Sequence, residues 1–150
     1  MGRNATAYEA DYVGWVHEQA ELLRSGALSE LDAANLAEEL DDMGRSIRHE
    51  LKNRLAILIM HLLKWRYQPG FRSTSWSGTI REQRRQIVDL IDESPSLRPV
   101  VSRDLVAFYR LGRAKAEAET GLPEATFPVE CPFTPAQILA ENFLPEDQTP

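Results

Sequence analysis

The stretch from Asp32 to Tyr67, DAANLAEELDDMGRSIRHELKNRLAILIMHLLKWRY, decides the fold. Leu36, Leu40, Met43, Ile47, Leu51, Leu55, Leu58, Leu62 and Trp65 recur three and four apart through it without a slip in phase. Residues so spaced share one face of an α-helix. Asp32 carries the side chain of an N-cap, and Gln68-Pro69-Gly70 supplies a stop. The spacing predicts one helix over about 32–67, bent rather than broken at Gly44 because the phase survives across it. Turned inward, each large side chain of the stripe contributes roughly 1.5–3 kcal/mol, which makes it the main stabilising surface.

Outward from this element the helical period continues. Thr6 and Glu9 have capping-box spacing, and Tyr8, Tyr12, Trp15, Val16, Gln19 and Leu23 follow one side of a helix over about 7–25 that Gly26 can end. Ser75 reads as the cap of a helix over 76–92 with Trp76, Ile80, Ile87 and Ile91 inward. Another helix is expected over 99–119, closed by Gly121, and a short one over 135–141 opened by Thr134 and Pro135. Six of the nine prolines fall in the last thirty residues, interleaved with Phe127, Phe133, Phe143 and Leu144. A tail so apolar is expected to be strapped over a bundle, with Phe127 or Phe133 covering an edge, rather than free in solution. The fold class is therefore all-α: a single domain over 1–150 with five to six helices, a long bent central helix and a Pro/Phe-rich tail over 122–150. Trp65 and Trp76 are expected in the core.

Composition narrows the class. With 150 residues the chain can bury on the order of 70% of its unfolded surface, so it needs no metal or disulfide to fold. The single cysteine, Cys131, excludes an intramolecular disulfide and fits a reducing compartment. The longest apolar run, Leu55 to Met60, falls far short of the roughly 20 residues that span a bilayer. The first residues lack an apolar signal core. A cytoplasmic location away from membranes is the expectation.

The net charge of −6 is unevenly spread. Ten Lys and Arg against two acids lie between Arg45 and Arg85, a local excess of +8, and the remainder carries −14. Acids near the start of the long helix and bases toward its end suit the helix dipole. The excess also predicts a surface for an anionic partner, an acidic protein or RNA, built from Lys64, Arg66, Arg72, Arg81, Arg84 and Arg85. Aromatics interleave with these bases at Trp65, Tyr67, Phe71 and Trp76, as single-stranded nucleic acid would require for stacking. Overall acidity and the placement of both tryptophans on apolar stripes argue against nucleic acid.

Catalytic signatures are sparse. There is no phosphate-cradling glycine loop, nucleophile elbow or Cys-x-x-Cys pair. His17-Glu18 and His49-Glu50 begin like a zinc-protease helix, but each lacks the second histidine one turn on. No metal or cofactor is expected. Glu50, Arg54, Ile57 and His61 share one helical stripe. Arg54 and His61, with six residues between them, resemble the Arg-x(4–6)-His motif of HEPN ribonucleases, which implies His61 as acid/base and Arg54 as phosphate stabiliser. In those enzymes a polar residue usually follows the arginine, whereas here Leu55 follows. Some 10 Å of helix separates the pair at ~1.5 Å per residue, so a homodimer could be needed to complete such a site. The preferred expectation is a non-enzymatic interaction module, with the ribonuclease as its alternative.

Several strings together carry a family resemblance. Tyr8-Glu9-Ala10-Asp11-Tyr12, Trp15, Asn35-Leu36-Ala37-Glu38-Glu39-Leu40 and Met43-Gly44-Arg45-Ser46 form the first group. His61-Leu62-Leu63-Lys64-Trp65, Gln68-Pro69, Ser75-Trp76, Thr79-Ile80-Arg81-Glu82-Gln83-Arg84 and Glu119-Thr120-Gly121-Leu122-Pro123 follow, with Cys131-Pro132 after them. In this spacing the chain resembles the bacterial family called Domain of Unknown Function 29 from about Tyr8 to Leu144. The resemblance implies an all-helical cytoplasmic protein and brings no catalytic residue with it.

Overall fold

A computed structural model of the chain describes residues 3–146. Among them are seven α-helices, α1 (Arg3–Ala10), α2 (Tyr12–Ser25), α3 (Ala33–Tyr67), α4 (Thr74–Glu93), α5 (Arg98–Arg103), α6 (Leu105–Thr120) and α7 (Pro135–Leu139), and no strand. The all-α class stands. The helices outnumber the expected five to six because two expected elements are each broken in two.

The first break falls at Asp11, whose side chain accepts from the Gly14 N–H and caps a fresh helix start. Thr6, expected as the cap, lies within α1 instead. The second break falls at Asp104, between α5 and α6. Ser73 rather than Ser75 caps α4, accepting from the Trp76 N–H at 3.2 Å. At the tail, Thr134 and Gln137 form a reciprocal capping box over α7. Gly26 and Gly121 end α2 and α6 in the left-handed conformation.

The long helix runs unbroken through Gly44, but its stripe is not buried throughout. Leu51, Leu55, Leu58, Ile59, Leu62 and Leu63 are wholly enclosed, whereas Leu40 and Met43 remain 65% and 63% exposed and Ile47 is 38% exposed. The inward placement expected for those three residues is therefore overturned. The division coincides with two compact units, residues 1–47 and 48–150, each contributing part of α3.

In the first unit, Trp15 is buried and its indole N–H donates to Asp32 Oδ2 at 3.0 Å. Gln19 Oε1 accepts from the Asp32 N–H at 2.8 Å. Both phenols of Tyr8 and Tyr12 donate to Glu39 at 2.6 Å. Thus α2 and the start of α3 are held antiparallel by polar contacts. Tyr12, Val16 and Leu23, expected to face inward, are 41–51% exposed.

In the second unit, α3 from Leu51 onward packs with Ile80, Ile87 and Ile91 of α4, Val101 of α5, and Phe108 and Tyr109 of α6. The tail enters the same core through Phe127, Phe133 and Ile138, which agrees with the expected strap. Trp65 is half-buried against this core, and Trp76 is half-buried outside it. The expected core placement is therefore only partly met for Trp65 and is not met for Trp76, whose ring faces a lysine instead.

Candidate anion-binding site

The basic residues expected to meet an anionic partner divide into those already engaged and those left open. Lys64 is 8% exposed, with Nζ 3.2 Å from Glu119 Oε2 and 4.5 Å above the Trp76 ring. Arg84 is 4% exposed and serves the tail: Nε donates to Ile138 O at 2.8 Å, and both terminal nitrogens donate at 3.4 Å, to Gln137 O and Glu141 O. Burial pushes its pKa down to about 10. Neither side chain presents its charge to solvent. Arg85 is exposed but pairs with Glu82 at 2.8 Å and Asp89 at 3.3 Å, and the Arg85 hydrogen bonds help pull the Glu82 carboxyl down to about 2. Arg72 lies over the Trp65 ring and donates from Nε to Trp65 O at 2.8 Å.

Arg66 and Arg81 differ. Arg66, in the last turn of α3, is half-buried, and its Nε is enclosed without a hydrogen-bond partner. Its guanidinium has an aromatic neighbour, the Tyr67 ring at 5.8 Å. Among the described residues no carboxylate pairs with it. It lines a cleft of about 430 Å³ with Phe133, Gln137, Phe143 and Glu146. The Gln137 carbonyl oxygen is spent on the α7 cap, accepting from the Thr134 N–H, which leaves its amide N–H groups available as donors. Arg81 is exposed, likewise without a pairing acid among the described residues, and lines a cleft of about 300 Å³ beside Arg85, Leu139 and Glu141. A smaller cleft holding Arg81 and Asn142 shares Leu144 with the Arg66 cleft. The strap over 141–144 therefore separates two open guanidinium groups, each beside its own recess.

Of the expected catalytic group, Glu50 and Arg54 meet each other, while the hydrogen bond of His61 goes to its own helix. Arg54 donates to Glu50 at 3.0 Å and to Gln83 Oε1 of α4 at 3.3 Å. His61 is half-buried, and its Nδ1 lies 2.9 Å from Ile57 O. Because a carbonyl oxygen only accepts, Nδ1 carries the proton and Nε2 the lone pair. Burial, reinforced by nearby Lys64, lowers the pKa of His61 and favours the neutral ring. No group of three or more His, Cys, Asp or Glu able to hold a metal occurs among the described residues. Also among them, no helix is long and apolar enough to cross a membrane.

Sequence reasoning missed Gln137 as a cleft residue and Glu39 as an anchored carboxylate. The Thr134-Pro135-Ala136-Gln137 capping pattern was the available signal for the first. Comparison with curated proteins and with solved structures finds no match. The model of the family described as Domain of unknown function DUF29 matches residues 7–144, nearly the whole chain, and the protein belongs to that family.

Proposed function

We propose that the chain is a non-enzymatic interaction module of the bacterial cytoplasm, which holds an acidic segment of a partner protein at Arg66 and Arg81. The observation that carries this reading is the half-buried Arg66 guanidinium, with an enclosed Nε and no carboxylate among the described residues to pair with it. Enclosing a cation costs solvation, and a charge-assisted hydrogen bond from the guanidinium to a ligand oxyanion would offset that cost. Phe143 and Leu144 beside it offer apolar contact to the rest of such a segment. An acidic peptide is favoured over RNA because only two of the six expected cations stand open and the chain is acidic overall.

A labelled peptide alternating Asp or Glu with Phe tests this by fluorescence anisotropy on the full chain. Binding is expected to weaken with salt and to fall by about tenfold, or ~1.4 kcal/mol, in Arg66→Ala combined with Arg81→Glu. Equal affinity in that variant, or preference for single-stranded RNA of matched charge, would overturn the reading. The same preparation is expected to leave RNA uncut, since Arg54 is held by Glu50 and Gln83.

A further inference from the structure

The first unit leaves an apolar face open. Tyr12, Val16 and Leu23 on α2 and Leu40, Met43 and Ile47 on α3 are each between 38% and 65% exposed. At ~100° per residue, each exposed set lies about 60° round, in the same rotational sense, from the residues joining the two helices. Those residues are Trp15 and Gln19 on α2, and Asp32 and Glu39 on α3. The contacts of Tyr12 with Glu39 and of Trp15 with Asp32 show that the helices run antiparallel here. In antiparallel helices the same rotation turns both sets to the same side, so the six side chains form one face.

Beside that face sits a charge with no counter-ion among the described residues. The Glu39 carboxylate is half-buried and receives the phenol protons of Tyr8 and Tyr12, and no cation among the described residues pairs with it. Of the three bases within residues 1–47, Arg24 is tied to Glu21 and Arg45 to Asp42, and the unit's ten acids leave it at −7.

We infer that this face docks an amphipathic helix of a partner protein, with its apolar stripe on the six exposed side chains and a Lys or Arg reaching Glu39. Charge and area both select this occupant over a second copy. Two copies would oppose surfaces of −7, and like charges in apposition disfavour association. The exposed apolar area is on the order of 500 Å², the size of the largest patch on a typical monomer, which is often functional. It falls below the ~800 Å² per partner of a standard stable interface, and it suits a single helix laid along the groove between two others.

The probe is a labelled helical peptide of about four turns with Leu at i, i+3, i+4 and i+7 and Lys elsewhere. A control has the same composition with the phase scrambled. With the full chain at physiological ionic strength, the phased peptide is expected to bind at least about tenfold more tightly than the scrambled one. Leu40→Ser with Met43→Ser, both at exposed positions and checked for helix content, is expected to remove that preference. Glu39→Gln, which keeps an acceptor for the tyrosines, is expected to weaken binding severalfold. Arg66→Ala with Arg81→Glu is expected to leave it unchanged, which separates this surface from the acidic-segment site. Equal binding of the scrambled peptide, or wild-type affinity in the Leu40/Met43 variant, would overturn the inference. So would a concentration-dependent dimer in sedimentation that the same two serines dissociate, since the face would then belong to a second copy.

Discussion

Gly112 of α6 lies against Ile59 of α3 with no room for a methyl group. A Cβ built at Gly112 would come within 2.8 Å of Ile59 Cγ2 and 3.0 Å of Ala56 O. Since that space is bounded by a branched side chain and by backbone, neither can yield cheaply. Gly112→Ala is therefore expected to destabilise the fold by about 1–3 kcal/mol, the usual cost of overpacking. Gly78, inside α4, has open space where its Cβ would be. Gly78→Ala should stabilise by about 0.4–1 kcal/mol through the unfolded chain's lost freedom. Urea unfolding of the two variants checks both signs at once.

Arg84 fastens α7 by donating to three main-chain carbonyls. Arg84→Ala would leave Ile138 O and Glu141 O without this partner, at about 1–3 kcal/mol each where water cannot reach them, while Gln137 O keeps the Ala140 N–H. Arg84→Lys should recover little, because an ammonium lacks the planar fork that serves three acceptors. Limited proteolysis should then cut within 137–146 in both variants before global unfolding. Protection equal to wild type would contradict the fastening role.

The tyrosine pair on Glu39 predicts an alkaline limit. Donation to Glu39 is the leading reason that the Tyr8 phenol is pushed up to about 12, and it raises Tyr12 as well. A folded-state pKa above the ordinary ~10 means the stabilisation is complete below pH ~10 and is lost as pH rises toward the raised value. The Glu39 carboxyl is lowered in return, by Tyr12 first and Tyr8 second. That contribution is present above the ordinary glutamate range and disappears as pH falls through the lowered value. Absorbance at the tyrosinate band should show delayed ionisation, and the delay should shrink in Glu39→Gln.

His61 titrates the other way from a surface histidine. Burial and Lys64 lower its pKa below 6.5, against the raising influence of Ile57 O and Glu119. The stability tied to its neutral form is full above the ordinary value and is lost as pH falls from there toward the lowered one. Proton NMR of the His61 ring should place its midpoint below the ordinary ~6.5. A His61 midpoint at or above 6.5 would refute the enclosed neutral ring.

Much of the fold was legible because helical period and caps are local signals. Leu51 to Leu63 announced the buried half of α3, and Gly121 and Thr134 marked ends that the structure keeps. The stripe at Leu40, Met43 and Ile47 has the same period but is left open, since periodicity reports which residues share a face and not whether anything covers it. The breaks at Asp11 and Asp104 were illegible because aspartate is compatible with a helix interior as well as with a cap. For the candidate site, net basicity over Arg45 to Arg85 was visible, but which cations stay open depends on partners far along the chain. Lys64 meets Glu119 and Arg84 meets the carbonyls of 137–141 only through tertiary packing.

Arg113 repeats the pattern of Arg84, donating to Glu124 O and Phe127 O, and Tyr109 donates to Pro128 O. The helices thus grip the tail largely by peptide carbonyls, atoms that every amino acid possesses. At 124, 137 and 141 the identity of the side chain is therefore immaterial to these particular bonds, and only the course of the backbone matters. A segment held in this way keeps its place at these points whatever side chains it carries there, although Phe127, Phe133 and Ile138 add buried anchors and Glu124 and Gln137 add side-chain bonds of their own.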